Sequence, residues 1–453
     1  MTFFKSTTIL VLLLAVLSLA LRPAAAAMDS STNVIDATKA GVVGDGATIN
    51  TAAIQKLIDD TSAVGGGVIE FPAGQYLTGT IQLKSGVTLR IDDSATLLGS
   101  TDAADYRNLD PFLDGSGNQM GSSLIVAVDA DNVGIEGKGT IDGQGLKLAA
   151  NQHPFVVRPF LLRWLNCKNV SLHEIHLTNP GAWTLNFFQT DGAVIDGVKI
   201  RSRAEKLQNN DGIDLDSSQN IKITNCDIVS GDDAIVIKTT SKQPSQNIDA
   251  TNCDISTHTN AIKFGTESIG DFENISVSNC RITNTGMSGI VLNSVDGGNI
   301  RHVNISDITM DGVAAPICVR LGARLKTFRT GDTAMPHPGT ISDVAISNVT
   351  AKNVRSIGIL INGVPGYPVG VITLSNIQIA VRGGGTADDA AVQLPEKATS
   401  YPEYSMFGKT LPAYGLYARH VDGLTLHNVQ LTPLLPDARP STVLLDVSSG
   451  SSQ

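Results

Sequence analysis

The reading of this chain turns on three near-copies of one phrase: IKITNCDI from Ile221, IDATNCDI from Ile248 and ISVSNCRI from Ile275. A fourth, VNISDITM from Val303, departs at the cysteine position. Asn225, Asn252 and Asn279 are separated by 27 residues each time, and 28 more reach Asp307. Looser copies, VSLHEIHL, VAISNVTA, ITLSNIQI and LTLHNVQL, extend the pattern in both directions. A repeat this short, built on V-x-I alternation, leaves no room for a βαβ unit and points to the coils of a solenoid.

A second phrase recurs in the same coils: DGIDLD from Asp211, DAIVIK from Asp233, NAIKFG from Asn260, SGIVLN from Ser288 and PICVRLG from Pro316. Aligned, Ile213, Ile235, Ile262, Ile290 and Ile317 form one inward row, and Leu215, Ile237, Phe264, Leu292 and Val319 form another. Alternation along a strand demands two such rows. Parallel strands closing coil on coil give an all-β fold, a single-stranded right-handed parallel β-helix. The repeated Asn and Cys positions read as interior ladders.

A solenoid needs covered ends. TAAIQKLIDDT, residues 51–61, sets Ile54, Leu57 and Ile58 on one helical face and is the expected N-terminal lid. The segments 323–340 and 382–414 break the period and read as long loops that shape a groove.

Lys5, an apolar run from about Thr8 to Leu21, and Pro23 with four alanines after it have the layout of a secretory signal peptide over residues 1–27. The expected mature protein, residues 28–453, is then a monomeric β-helical domain, secreted or periplasmic. The formal charge of −10 falls to −12 when Lys5 and Arg22 leave with the leader, which disfavours nucleic acid and anionic membrane as partners. Five scattered cysteines imply no dense disulfide framework. No His-rich or Cys-x-x-Cys spacing occurs, so neither metal nor cofactor is expected.

On these residues the sequence resembles glycoside hydrolase family 28, the polygalacturonases and rhamnogalacturonan hydrolases. The resemblance is carried by AGVVGDGATINTAAIQKLID from Ala40, the glycine-rich stretch from Gly65, GTIDGQG at Gly139, Arg158-Pro159, NPGAW at Asn179, NNDGID at Asn209 and SGDDAIVIK at Ser230. Of the family's signature, Asn-x-Asp-Gly and Asp-Asp are present. Thr259-Asn260-Ala261 stands where Gly-His-Gly belongs, and Val291-Leu292-Asn293 where Arg-Ile-Lys belongs.

Glycoside hydrolysis needs one protonated carboxyl and one ionised one. Asp211 and Asp233 fall on adjacent rungs roughly 4.8 Å apart, and Asp232 is next in sequence. Carboxylates that close raise one another's pKa, so one proton is expected to stay near neutrality. The resemblance implies Asp232 as general acid and Asp211 with Asp233 as the base that holds water, with inversion. The implied substrate is an acidic pectic polysaccharide or oligosaccharide. Its contacts are expected from Asn209, Lys238, His258, Lys263, Glu267 and Arg320, Arg320 being best shaped to clamp a carboxylate. Arginines further along VRLGARLKTFR are candidates for the cleft, and Trp183 is expected to pack rather than to stack on sugar. A Ca²⁺-dependent lyase and a non-catalytic carbohydrate-binding β-helix are the rival functions.

Overall fold

The computed structural model describes residues 33–204, 207–408 and 410–449; the expected leader lies outside them. The described strands join in one sheet system whose pairings are parallel, apart from Arg107–Leu113 against Gln119–Val128 and one short bridge between Val364 and Tyr367. Elsewhere a strand pairs in parallel with its counterpart in the next coil. The result is a right-handed parallel β-helix.

Seven strands of one face carry the features that matter below: β1 (Leu185–Phe188), β2 (Ile213–Asp216), β3 (Ile235–Thr239), β4 (Ile262–Ser268), β5 (Ser288–Ser294), β6 (Ala315–Leu321) and β7 (Ile359–Asn362). Their register pairs Ile213 with Ile235, Ile235 with Ile262, Ile262 with Ile290 and Ile290 with Ile317. Leu215, Ile237, Phe264, Leu292 and Val319 stack likewise, and both rows are fully buried. Stacked aliphatic rows of this kind supply a solenoid's main hydrophobic term, repeated per coil.

Helix α1 (Thr51–Ala63) covers the N-terminal end, burying Ile54, Leu57, Ile58 and Thr61. The lid is two residues longer than the sequence pattern implies. Cys226, Cys253 and Cys280 are interior, as expected, and all five cysteines are free thiols.

The asparagine ladder is not interior. Asn225, Asn252 and Asn279 are exposed at a corner between sheets, with φ of 57°, 59° and 52°. A corner needs one residue in the left-handed region, which Asn enters more readily than other side-chain-bearing residues. The side-chain amides then bond rung to rung, Asn279 Nδ2 donating to Asn252 Oδ1 at 2.6 Å. Asn220, Asn247 and Asn274 make a second such ladder at 3.0 and 3.1 Å.

On the outer side of β1–β7 the two irregular segments fold back as a roof. From the later one, Met406, Phe407 and Leu411 pack on Val291, Cys318 and Leu360. From the earlier one, the Arg329 guanidinium lies 3.5 Å from the centre of the Phe188 ring. Residues pointing away from the helix interior on this face are therefore buried too, Asp214 and Asp216 among them.

Removing the ring of Phe264, which sits in the middle of its row, is expected to cost about 3–5 kcal/mol as Phe264→Ala. The midpoint of denaturant unfolding reads this out, and a loss under about 1 kcal/mol would contradict the stacked-row arrangement.

Candidate active site

Asp211 immediately precedes the Gly212 that leads into β2, and Asp232 and Asp233 precede β3. Parallel pairing continues into these lead-in turns: Gly212 N donates to Asp233 O at 2.8 Å, and Asp232 N to Asn210 O at 3.3 Å. A side chain at Gly212 would meet the Ala234 carbonyl at 2.4 Å, so only glycine lets the two turns stack this closely. Asn210 fixes the first turn by donating to Pro180 O at 3.2 Å. One oxygen from each of the three carboxyls lies within 4.8 Å of the others.

Their surroundings differ. Asp233 is locked: Oδ2 accepts from Lys263 Nζ at 2.6 Å, and Oδ1 from Asn260 N at 3.0 Å and Asn260 Nδ2 at 2.8 Å. Burial pushes its pKa up, but the Lys263 charge and these bonds outweigh burial and hold it below the usual carboxylate range. Asp211 has no such partner; burial first, then Asp214 and Asp232, push it well up, and its Oδ1 is buried without a hydrogen bond. Asp232 is raised by burial and by Asp233, while Thr259 Oγ1 donates to its Oδ1 at 3.0 Å. It is the least buried of the three.

The cleft around them has a volume of about 230 Å³. Of the residues expected to touch substrate, Asn209, Lys238, Lys263 and Glu267 line it. Asn209, at φ 57°, accepts from Arg158 Nη2 at 3.0 Å. Lys238 forms an ion pair with Asp214 at 2.8 Å and reaches Glu267 at 3.7 Å, with Nζ 3.8 Å from the Trp183 ring centre. Trp183 is nearly buried and packs on Phe112 and Phe160, so it is a floor, as expected.

Two expected contacts lie elsewhere. His258 is exposed on the turn before Thr259 and does not line the cleft. Arg320 is buried against the roof: it donates to Gly363 O at 3.0 Å, Lys397 O at 2.9 Å and Asn362 Oδ1. Asn362 faces it in register on β7, and loop carbonyls accept from both terminal nitrogens. The later arginines are likewise paired, Arg324 with Asp296 at 2.5 Å and Arg329 with Asp110 at 3.0 Å.

Aligning DAIVIK with NAIKFG would set Lys238 opposite Gly265, and the strands depart from that register at this point. Lys238 does not sit simply opposite Gly265: Ile237 pairs with Phe264, but Thr239 pairs with Ser268. Three residues of β4 therefore bulge against one of β3, and the bulge swings Glu267 toward Lys238. Bulges re-aim side chains in this way next to sites.

Several lining residues come from segments with no repeat signature: Asp114, Gly115 and Ser116, and Tyr401 and Glu403. Glu267 Oε1 accepts from Gly115 N at 2.6 Å, which ties the first segment to the bulge. Asn293 Nδ2, at an Arg-Ile-Lys position of the family signature, donates to Pro402 O at 3.2 Å and so anchors the second. The Glu403 carboxyl is pushed up to about 7 by burial, partly countered by Lys263 and reinforced by Asp233 and Asp232.

A parallel β-helix with clustered carboxyls in unequal surroundings in an outer groove has the make-up of a glycosidase of the solenoid class. The family model described as Glycosyl hydrolases family 28 matches residues 62–399, and the chain belongs to that family. It is 31% identical to the exo-poly-alpha-D-galacturonosidase of Dickeya chrysanthemi over 252 residues, covering 45% of this chain and 41% of that protein. It is 32% identical to the endo-polygalacturonase of Pectobacterium parmentieri over 208 residues, 42% of this chain and 51% of that one. The chain thus spans about half the length of the curated relatives it matches. Among solved structures it resembles the polygalacturonase from Erwinia carotovora ssp. carotovora, with a TM-score of 0.62 and 26% identity over 76% of this chain and 92% of that one.

Replacing Lys263 by Met leaves Asp233 buried without its counter-charge, at an expected cost of about 3–5 kcal/mol near neutral pH. In the native protein the depressed Asp233 pKa contributes stability above the unfolded-state pKa, and this is lost as pH falls through the folded one. In Lys263→Met burial raises that pKa instead, so the melting-temperature deficit should shrink as pH drops and the group protonates. A deficit independent of pH between about 4 and 8 would show that the pair does not act through charge.

Proposed function

We propose that this chain hydrolyses glycosidic bonds in a pectic polysaccharide or its oligosaccharides, outside the cytoplasm. The observation that carries this reading is the unequal environment of three carboxyls held within reach of one oxygen. Asp232, raised and closest to the open cleft, donates a proton to the leaving oxygen. Asp233, kept ionised by Lys263 and Asn260, cannot act as that acid and serves as the charged member that orients water. Asp211, with one buried oxygen free of hydrogen bonds, shares the water. Coupling between the three means that they titrate together, so the roles belong to the cluster as well as to its members.

Inversion implied by the family resemblance needs a water between base and anomeric carbon. The 4.8 Å grouping is tighter than the roughly 6.5–9.5 Å of two opposed carboxyls in inverting enzymes, and closer to the roughly 5–5.5 Å of retaining ones. Against a covalent route, both Asp233 oxygens already accept hydrogen bonds, which blunts it as a nucleophile. Inversion is therefore the reading adopted, and proton NMR of the first-formed anomer decides it.

Two features weigh against elimination. Asp233 already holds an ammonium where a divalent cation would have to bind, and Lys238 and Lys263 are both held well above the usual lysine range by neighbouring acids. Such lysines are protonated and make poor bases for a lyase.

Asp232→Asn should lower kcat on pectic fragments by about 10²–10⁴-fold with little change in KM, measured by reducing-end release. Fold stability should hold or rise, since one of three repelling acids is gone. Turnover within tenfold of the native protein would remove Asp232 from the role of acid.

A further inference from the structure

Most carboxyls lining the cleft already have partners. Asp114 accepts from Ser116 N at 2.8 Å and Asn118 Nδ2 at 2.9 Å, Asp232 from Thr259, Asp233 from Lys263 and Asn260, and Glu267 from Gly115 N. Glu403 differs: among the described residues its carboxyl makes no hydrogen bond and no ion pair, although it lines the same cleft. The segment that carries it is fixed. Asn293 Nδ2 donates to Pro402 O at 3.2 Å, Thr266 Oγ1 donates to Tyr401 Oη at 3.0 Å, and Met406 and Phe407 are sealed into the apolar roof. A half-buried carboxyl without a partner is thus presented to the cleft by a wall tied down along its length.

The charged and titratable groups around Glu403 are Lys263 on β4, Asp232 and Asp233 ahead of β3, Cys318 on β6 and Tyr401 on its own segment. Lys263 is committed to Asp233 at 2.6 Å and Lys238 to Asp214 at 2.8 Å, so neither ammonium stands free for a second anion. Burial, the largest influence on Glu403, pushes its pKa up to about 7; Lys263 counters this in part, and Asp233 and Asp232 reinforce it. Below that value the wall offers an O–H donor, and above it a carboxylate. For an anionic sugar the two are opposite, a charge-assisted hydrogen bond in one case and a like-charge contact in the other.

We infer that Glu403 is a specificity-determining residue of the cleft: with its proton it donates to the carboxylate of an acidic sugar seated beside Asp232, and without it turns that sugar away. This rests on the hydrolytic reading above and names a residue that selects the substrate.

The test follows KM for a galacturonate oligosaccharide across the neutral pH range by reducing-end release. Above the Glu403 pKa, binding has to return a proton to the carboxyl, so KM should be level up to about pH 6 and rise about tenfold between about pH 6 and about pH 8. Glu403→Gln keeps a donor at every pH and should hold KM near its low-pH value throughout. Glu403→Ala has neither donor nor charge, and should raise KM about tenfold at about pH 5 and leave it level with pH. A KM in the native protein that ignores pH overturns the inference while hydrolysis stands. So does a KM that rises as steeply in Glu403→Gln, which would place the titration on the aspartates. No release of reducing ends by the native protein at any pH overturns the hydrolytic reading and this inference with it.

Discussion

Everything in the site depends on register between successive coils. Because each β2-to-β3 rung repeats the same inward rows, the turns that lead into those strands are stacked as well, and Asp211 falls beside Asp232 and Asp233 without any loop having to reach. A slip of one residue would turn Ile213 and Leu215 outward and carry the aspartates away from one another, so hydrophobic burial polices the geometry of the carboxyl cluster. Gly212 is the local expression of the same constraint, since the neighbouring carbonyl fills the space a side chain would need.

The repeating part of the molecule was legible in the sequence because period and alternation are statements about burial. Ile213 through Ile317 stack as aligned, α1 covers the end as its apolar face requires, and the aperiodic segments form the roof. The asparagine ladder shows where such reading stops: a repeated residue reports a repeated environment without saying whether that environment is core or corner. Asn serves the corner through its tolerance of positive φ, while the adjacent cysteine faces inward. The site was legible chiefly where it coincides with the repeat, with Asn209 and Glu267 beside it. Asp211, Asp232, Asp233, Lys238 and Lys263 stand on strands or their lead-in turns. Asp114, Tyr401 and Glu403 are brought in by segments of no period, and the β4 bulge that delivers Glu267 leaves no mark in the alternation.

Arg320 illustrates a subtler failure. It stands in an outward row, opposite Asn293 on β5, yet outward does not mean open. The roof closes over that row, and a guanidinium with five donors is then most useful as a bracket for loop carbonyls. Lys238 is also buried, and its charge is committed to Asp214 and Glu267 before any ligand arrives.

One row along the outer face explains why the cleft begins and ends where it does. In register it runs Arg163, Asn186, Asp214, Val236, Lys263, Val291, Cys318, Leu360, Tyr417. Apart from Val236, the early rungs are polar and support charges: Arg163 meets Asp110, Asp214 meets Lys238, and Lys263 meets Asp233. From Val291 onward the row is apolar and sealed by Met406, Phe407 and Leu411. The boundary falls between β4 and β5, where the family signature would have a cationic motif and this chain has Val291 and Asn293. Val291 gives the roof something to pack on, Asn293 ties the roof down, and the edge of that roof carries Glu403 into the cleft. The apolar rung and the acidic wall are thus one structural feature, because the roof that packs on Val291 and is tied down by Asn293 is what brings Glu403 to the cleft.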